Sequence, residues 1–150
     1  MHRTLTLITS LAAILFGIAV QAQAQFTMNA ASEDAVPGWQ KMEIEGRSVW
    51  VNPAPALTSA DIQGAEPATD RNYGQFVSII LTDEGARKMR DLSTAQMNKL
   101  IAMMLDGKPL MAPKVRSVIN KDIVVSGKPP AGLTTDAVQR ILTSVNRKRE

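Results

Sequence analysis

The stretch that most constrains the fold is Leu100 to Met111, "LIAMMLDGKPLM". Six consecutive apolar residues run up to Asp106-Gly107, and a second apolar run comes after it. Asp-Gly tolerates positive φ at both central positions of a type I′ turn, so the pattern predicts a β-hairpin. Alternation along the first strand puts Leu100, Ala102 and Met104 on one face and Ile101, Met103 and Leu105 on the other. Phe76 to Leu81 is likewise apolar on both sides except at Ser78. A sheet covered on one face only does not need such strands. Either the segment around Trp50 covers the second face or that face binds something apolar.

The other elements are predicted by local signals. Residues 40–52 read as a hairpin, with Met42 and Ile44, then Val49 and Val51, alternating with polar residues around a Gly46-Arg47 reversal. Thr58, with Asp61 three residues on and Leu57 and Ile62 flanking, predicts a short helix ended by Gly64. Pro67 to Gly74 reads as loop and 75–82 as a strand. Thr82 caps a helix whose first turn carries Asp83 and Glu84, and a second capping signal at Ser93 and Gln96 predicts a break. A strand at 122–126 and a final helix capped by Thr134, with a Leu133–Val138 staple, complete the chain. The expected fold class is α+β, a mostly antiparallel sheet with helices packed on one face.

Residues 1–24 are set aside as a secretory signal peptide. His2 and Arg3 precede the apolar run Leu5–Val20, and Ala22-Gln23-Ala24 is a small-x-small cleavage signal. The run falls short of the roughly 20 residues a spanning helix needs. Cleavage after Ala24 predicts a periplasmic or secreted protein. An uncleaved anchor, the alternative, would make it a membrane-tethered accessory subunit. Residues 25–39 read as a flexible N-terminal segment and 40–150 as a single domain.

The only His lies in that leader, and the chain has no Cys. The remainder therefore lacks imidazole and thiol chemistry and the usual zinc and copper ligands, and no cofactor is expected. Its charge is close to balanced, which gives no electrostatic case for nucleic acid. Ser126-Gly127-Lys128 lacks the upstream Gly of a phosphate loop, because residue 122 is Asp. Asp83-Glu84 fits its helix start, and Asp106 fits its turn. A carboxylate-dependent envelope hydrolase would need two carboxylates roughly 5 to 9.5 Å apart across one cleft. Methionines that fill cores can also line adaptable binding surfaces. Trp50, Met103, Met104 and Met111 are the candidate partner-binding residues.

From Val49 to Leu142 the ordered motifs "VWVNPAPALTSADI", "LTDEGARKM", "LIAMMLDGKPLMAPKV", "VSG" and "LTTDAVQRIL" resemble the head subdomain of the first periplasmic domain of SecD, in the SecDF protein-export family. Met89 stands where that family commonly has Phe, and Asn120-Lys121-Asp122 occupies a turn that is usually Gly-rich. The family's multi-helix membrane portion, with its proton-coupling charges, has no counterpart in these residues. The resemblance therefore implies a ferredoxin-like α+β fold and an interaction role with exported chains, not a motor. The expected protein is a non-enzymatic envelope module that binds a protein or peptide, by strand addition or through an apolar sheet face.

Overall fold

The computed structural model describes residues 25–130 and 132–146. Their order is β1 (Phe26–Ser32), β2 (Gln40–Ile44), β3 (Arg47–Val51), β4 (Leu57–Thr58), a 3-10 turn (Ser59–Asp61), β5 (Ile62–Asp70), β6 (Gly74–Leu81), α1 (Asp83–Ala95), β7 (Leu100–Leu105), β8 (Lys108–Met111), β9 (Asp122–Ser126) and α2 (Thr135–Asn146). The α+β, mostly antiparallel architecture is distributed over two sheets. One has the order β2-β3-β1-β7-β8, with β4 also paired to β1, and the other is β5-β6-β9. Every ladder between these strands is antiparallel.

The β7–β8 hairpin forms as its sequence predicts, with Asp106 at φ 51° and Gly107 at φ 76°. The first hairpin reverses one residue earlier than expected. Ile44 pairs with Arg47, and Glu45 (φ 52°) and Gly46 (φ 75°) are the central residues. Gly is thus second in the turn, the same I′ chemistry as Asp106-Gly107.

All six residues of β7 are buried, and two apolar clusters account for its two faces. Ile101, Met103 and Leu105 join Phe26 and Met28 of β1, Val77, Ile79 and Leu81 of β6, Ile123 and Val125 of β9, Met89 of α1 and Ile141 of α2. This large core lies between the two sheets and takes in both helices. Leu100, Ala102 and Met104 face Ala31, Ile44, Val49, Val51 and Ala112 in a smaller cluster. The first sheet curls until β2 meets β8, so the β2–β3 hairpin covers the second face of β7. The second sheet leaves one face open, where Ile80 and Val124 are 43% and 54% exposed.

Four expectations are corrected. The segment 25–39, expected to be flexible, contains β1, which lies between β3 and β7 and pairs with β7 over six residues. Its small residues Thr27, Ala30 and Ala31 look like tether composition, but Ala30 packs against the large core and Ala31 in the small one, on opposite sides of the strand. The predicted helix after Thr58 is a single 3-10 turn. The capping contacts exist, from the Ala60 N–H to Thr58 Oγ1 (3.2 Å) and from the Thr58 N–H to Asp61 Oδ2 (3.0 Å). Ile62 onward pairs with β6 instead of continuing a helix. Most of the expected loop 67–74 is strand, and Pro67 is tolerated there because β5 is an edge.

The last correction concerns α1, which does not break at Ser93. That side chain donates to the Met89 carbonyl (2.7 Å) and accepts the Ile119 N–H (2.9 Å). Gln96 acts one turn later, its amide donating to the carbonyls of Ala31 (2.9 Å) and Leu100 (2.7 Å). It ties the helix end to β1 and β7. The Leu133–Val138 staple forms, with both residues buried in the large core, and Thr134 Oγ1 accepts the Ala137 N–H at 3.2 Å.

Candidate functional site

The four candidate contact residues do not share one surface. Met103 and Met104 are each 4% exposed and point into opposite cores. Met111 pairs with Met103 across the hairpin and is half-buried against the large core. Trp50 sits half-buried on β3, opposite Lys41 of β2 and Ser32 of β1.

Met104 nevertheless borders a groove. Where the first sheet curls, β1, β2 and the 52–55 segment leave a cavity of about 250 Å³. Met42, Val51, Met104, Pro53 and Pro55 supply its apolar wall, and Gln25, Thr27, Asn29, Gln40 and Asn52 its polar one. None of the lining side chains is ionisable. Asn29 is 6% exposed and engaged at both ends of its amide, donating to the Asn52 carbonyl (2.9 Å) and accepting from Thr27 Oγ1 (2.9 Å). It links β1 to the 52–55 segment within the polar wall. Gln25 and Gln40 are exposed and can exchange hydrogen bonds with a ligand. Such side chains suit a group with apolar surface and amide-like polarity, and they offer no charge to an anion or a cation. No motif marks this groove in the sequence, because its amides are scattered over three segments.

A second cavity of about 240 Å³ lies beside Met103, between Met89, Ile101, Ile123 and the 113–119 segment. It lies against the large core, not against the first groove.

The carboxylates are engaged in separate ion pairs. Asp83 accepts from Lys121 (2.9 Å), and that hydrogen bond, with the lysine charge behind it, lowers the Asp83 pKa. Glu84 and Arg87 form a bidentate pair whose hydrogen bonding lowers the carboxyl pKa and raises that of the guanidinium. Asp106 pairs with Arg140 of α2. None of these carboxylates lines a cavity described above. Among the described residues, no group of three or more His, Cys, Asp or Glu side chains could hold a metal ion.

Two of the sequence motifs meet in space. The backbone N–H and the hydroxyl of Thr82, in "LTDEGARKM", both donate to the Asp61 carbonyl of "LTSADI", at 2.9 and 3.2 Å. Lys88 reaches Asp61 Oδ1 at 2.8 Å. A Cβ on Gly85 would lie 2.3 Å from the Asp61 carbonyl oxygen. Glycine is therefore required inside α1, despite its poor helix propensity, to let the helix start rest on the 3-10 turn. "VSG" has a similar basis, because a Cβ on Gly127 would lie 2.1 Å from the Gly132 carbonyl oxygen.

Comparison with known proteins agrees with this reading of the motifs. The family model for the SecDF P1 head subdomain matches residues 31–137, more than half of the chain. The SecD translocase subunit of Acidaminococcus fermentans is 31% identical over 77 residues, 51% of this chain and 17% of that protein. The SecDF subunit of Thermus thermophilus is 35% identical over 65 residues, 43% of this chain and 9% of that protein. The chain thus matches only a small part of these curated relatives. Two solved structures share the fold. One is SecDF in its super-membrane-facing form (TM-score 0.61, 23% identity, covering 81% of this chain and 18% of that one). The other comes from work on SecDF as a membrane component that enhances protein export (TM-score 0.60, 21% identity, 82% and 62%). No described helix is long and apolar enough to cross a membrane. The match over residues 31–137, from β1 into α2, places the chain in the SecDF P1 head subdomain family.

Proposed function

We propose that this protein is an exported envelope module of the SecD-head type, without enzymatic activity, that binds a protein or peptide segment as an accessory to protein export. The observation that carries the binding part is the groove beside Met104, whose lining side chains are all uncharged. An extended chain can place an apolar side chain against Met42, Val51 and Met104 while its amides meet Gln25 and Gln40. The translocase relatives favour an unfolded exported chain as that occupant. The expected signal peptide, residues 1–24, lies outside the described residues. Its cleavage after Ala24 and a periplasmic location are part of this proposal.

The test is direct binding of a fluorescent, uncharged, extended peptide to purified protein, read by anisotropy. Met42→Trp, which fills the groove from a half-buried position, should weaken binding about tenfold or more, equivalent to about 1.4 kcal/mol. A change on the open face of the second sheet, Val124→Thr, should leave it unchanged. Equal affinity of wild type and Met42→Trp would remove the groove from the proposal. No saturable binding to any such peptide would remove the function.

A further inference from the structure

Asp106 does more than turn the hairpin. Its backbone N–H donates to the Gln25 carbonyl (2.8 Å), and its Oδ1 accepts the Gln25 N–H (2.7 Å). Its second oxygen, Oδ2, is held by Arg140 of α2. The Asp106 side chain is only 22% exposed. Gln25 is kept in place by its neighbour Phe26. That residue is 1% exposed, pairs with Leu105, and donates its N–H to Ser59 Oγ at 3.2 Å. The position of the Gln25 nitrogen is therefore set by the β1–β7 ladder.

That nitrogen is the atom that cleavage after Ala24 would expose. We propose that processing converts the Gln25 N–H into an α-ammonium group paired with Asp106, and that this pair protects the new terminus from cyclising to pyroglutamate. The inference rests on the processing reading above. In the cyclisation, the lone pair of the free α-amine attacks the side-chain carbonyl carbon of Gln25. A carbon–nitrogen bond forms, the bond to the side-chain nitrogen breaks, and ammonia leaves with a proton from the attacking nitrogen. Only the deprotonated amine reacts, and a carboxylate at hydrogen-bond distance favours the protonated form. Arg140 shares the same carboxylate and opposes this effect. The residues lining the groove beside Gln25 add no further charge.

The experiment expresses the full chain with its leader in a bacterial host and reads the purified protein by intact mass and N-terminal peptide. Loss of one ammonia is then tracked over a range of pH for wild type, Asp106→Asn and Arg140→Gln. Asparagine retains the turn, because it tolerates positive φ. A terminus at Gln25 is expected. At neutral pH, Asp106→Asn should lose ammonia about tenfold faster, with the rise in rate moved about one pH unit lower. Arg140→Gln should cyclise no faster than wild type. A chain beginning at any other residue overturns the processing reading and this inference with it. A chain that begins at Gln25 overturns the inference alone in either of two cases: Asp106→Asn cyclises with the wild-type pH profile, or Arg140→Gln cyclises faster. A rate increase in Asp106→Asn without the pH displacement would mean loosening of the terminus, and would also overturn it.

Discussion

The two faces of β7 belong to different kinds of core. Ile101, Met103 and Leu105 look into a cluster built by both sheets and both helices, while Leu100, Ala102 and Met104 look into one closed by a single curled sheet. The large core joins elements distant in sequence and holds the molecule together. The small core is lined largely by strands of one sheet and stays open to a solvent groove at Met104. Burial on both sides of one strand thus serves stability on one face and shapes a cavity on the other.

The most severe test of that contrast compares equivalent truncations. Ile79 is 1% exposed in the centre of the second sheet and lines neither of the two cavities. Ile79→Ala should approach the upper end of the about 2–5 kcal/mol typical of such changes. Met104→Ala should fall near the lower end, since water already reaches the groove beside it. Urea unfolding of both variants checks this, and equal losses would mean the small core is as tightly closed as the large one.

Next in size is the junction that anchors α1 to the large core. Gly85→Ala should destabilise by about 1–3 kcal/mol, because the clash with the Asp61 carbonyl outweighs the helix-propensity gain of about 1 kcal/mol. Thermal unfolding reads the effect, and a stabilised variant would show that the helix start can lift off the 3-10 turn without loss.

The smallest effect concerns the surface pairs at the same helix start. Asp83 and Glu84 have lowered pKa values when folded. Their contribution is present above the unfolded carboxylate pKa and is lost as pH falls through the folded value. Both are exposed, so Asp83→Asn with Glu84→Gln should flatten the acid limb of the stability–pH curve only slightly, and less at high salt. A large flattening would place these pairs on a par with core packing.

Much of the fold was legible because local chemistry and tertiary context agreed. Asp106-Gly107 made its hairpin, Thr82 and Thr134 capped their helices, and the apolar run of β7 was buried on both faces. The signals misled where local chemistry was outvoted. Thr58 and Asp61 form their capping contacts, yet the chain after them extends because β6 offers a full ladder to Ile62–Asp70. β1 was illegible for the opposite reason, since Thr27, Asn29, Ala30 and Ala31 carry little apolar signal and gain their place only when β3 and β7 flank them. The groove was hidden on the same account, because β1 forms part of its wall.

By itself the sequence determined the Asp106-Gly107 turn, the starts of α1 and α2, the two-sided burial of β7 and the absence of imidazole and thiol chemistry outside the first 24 residues. Each is a property of neighbouring residues or of composition. Tertiary structure alone decided that the second face of β7 is covered by the β2–β3 hairpin, that Asp106 grips Gln25 and Arg140, and that Met103 and Met104 serve separate cores. Those outcomes depend on residues far apart in the chain meeting in space, and local propensity carries no record of such meetings.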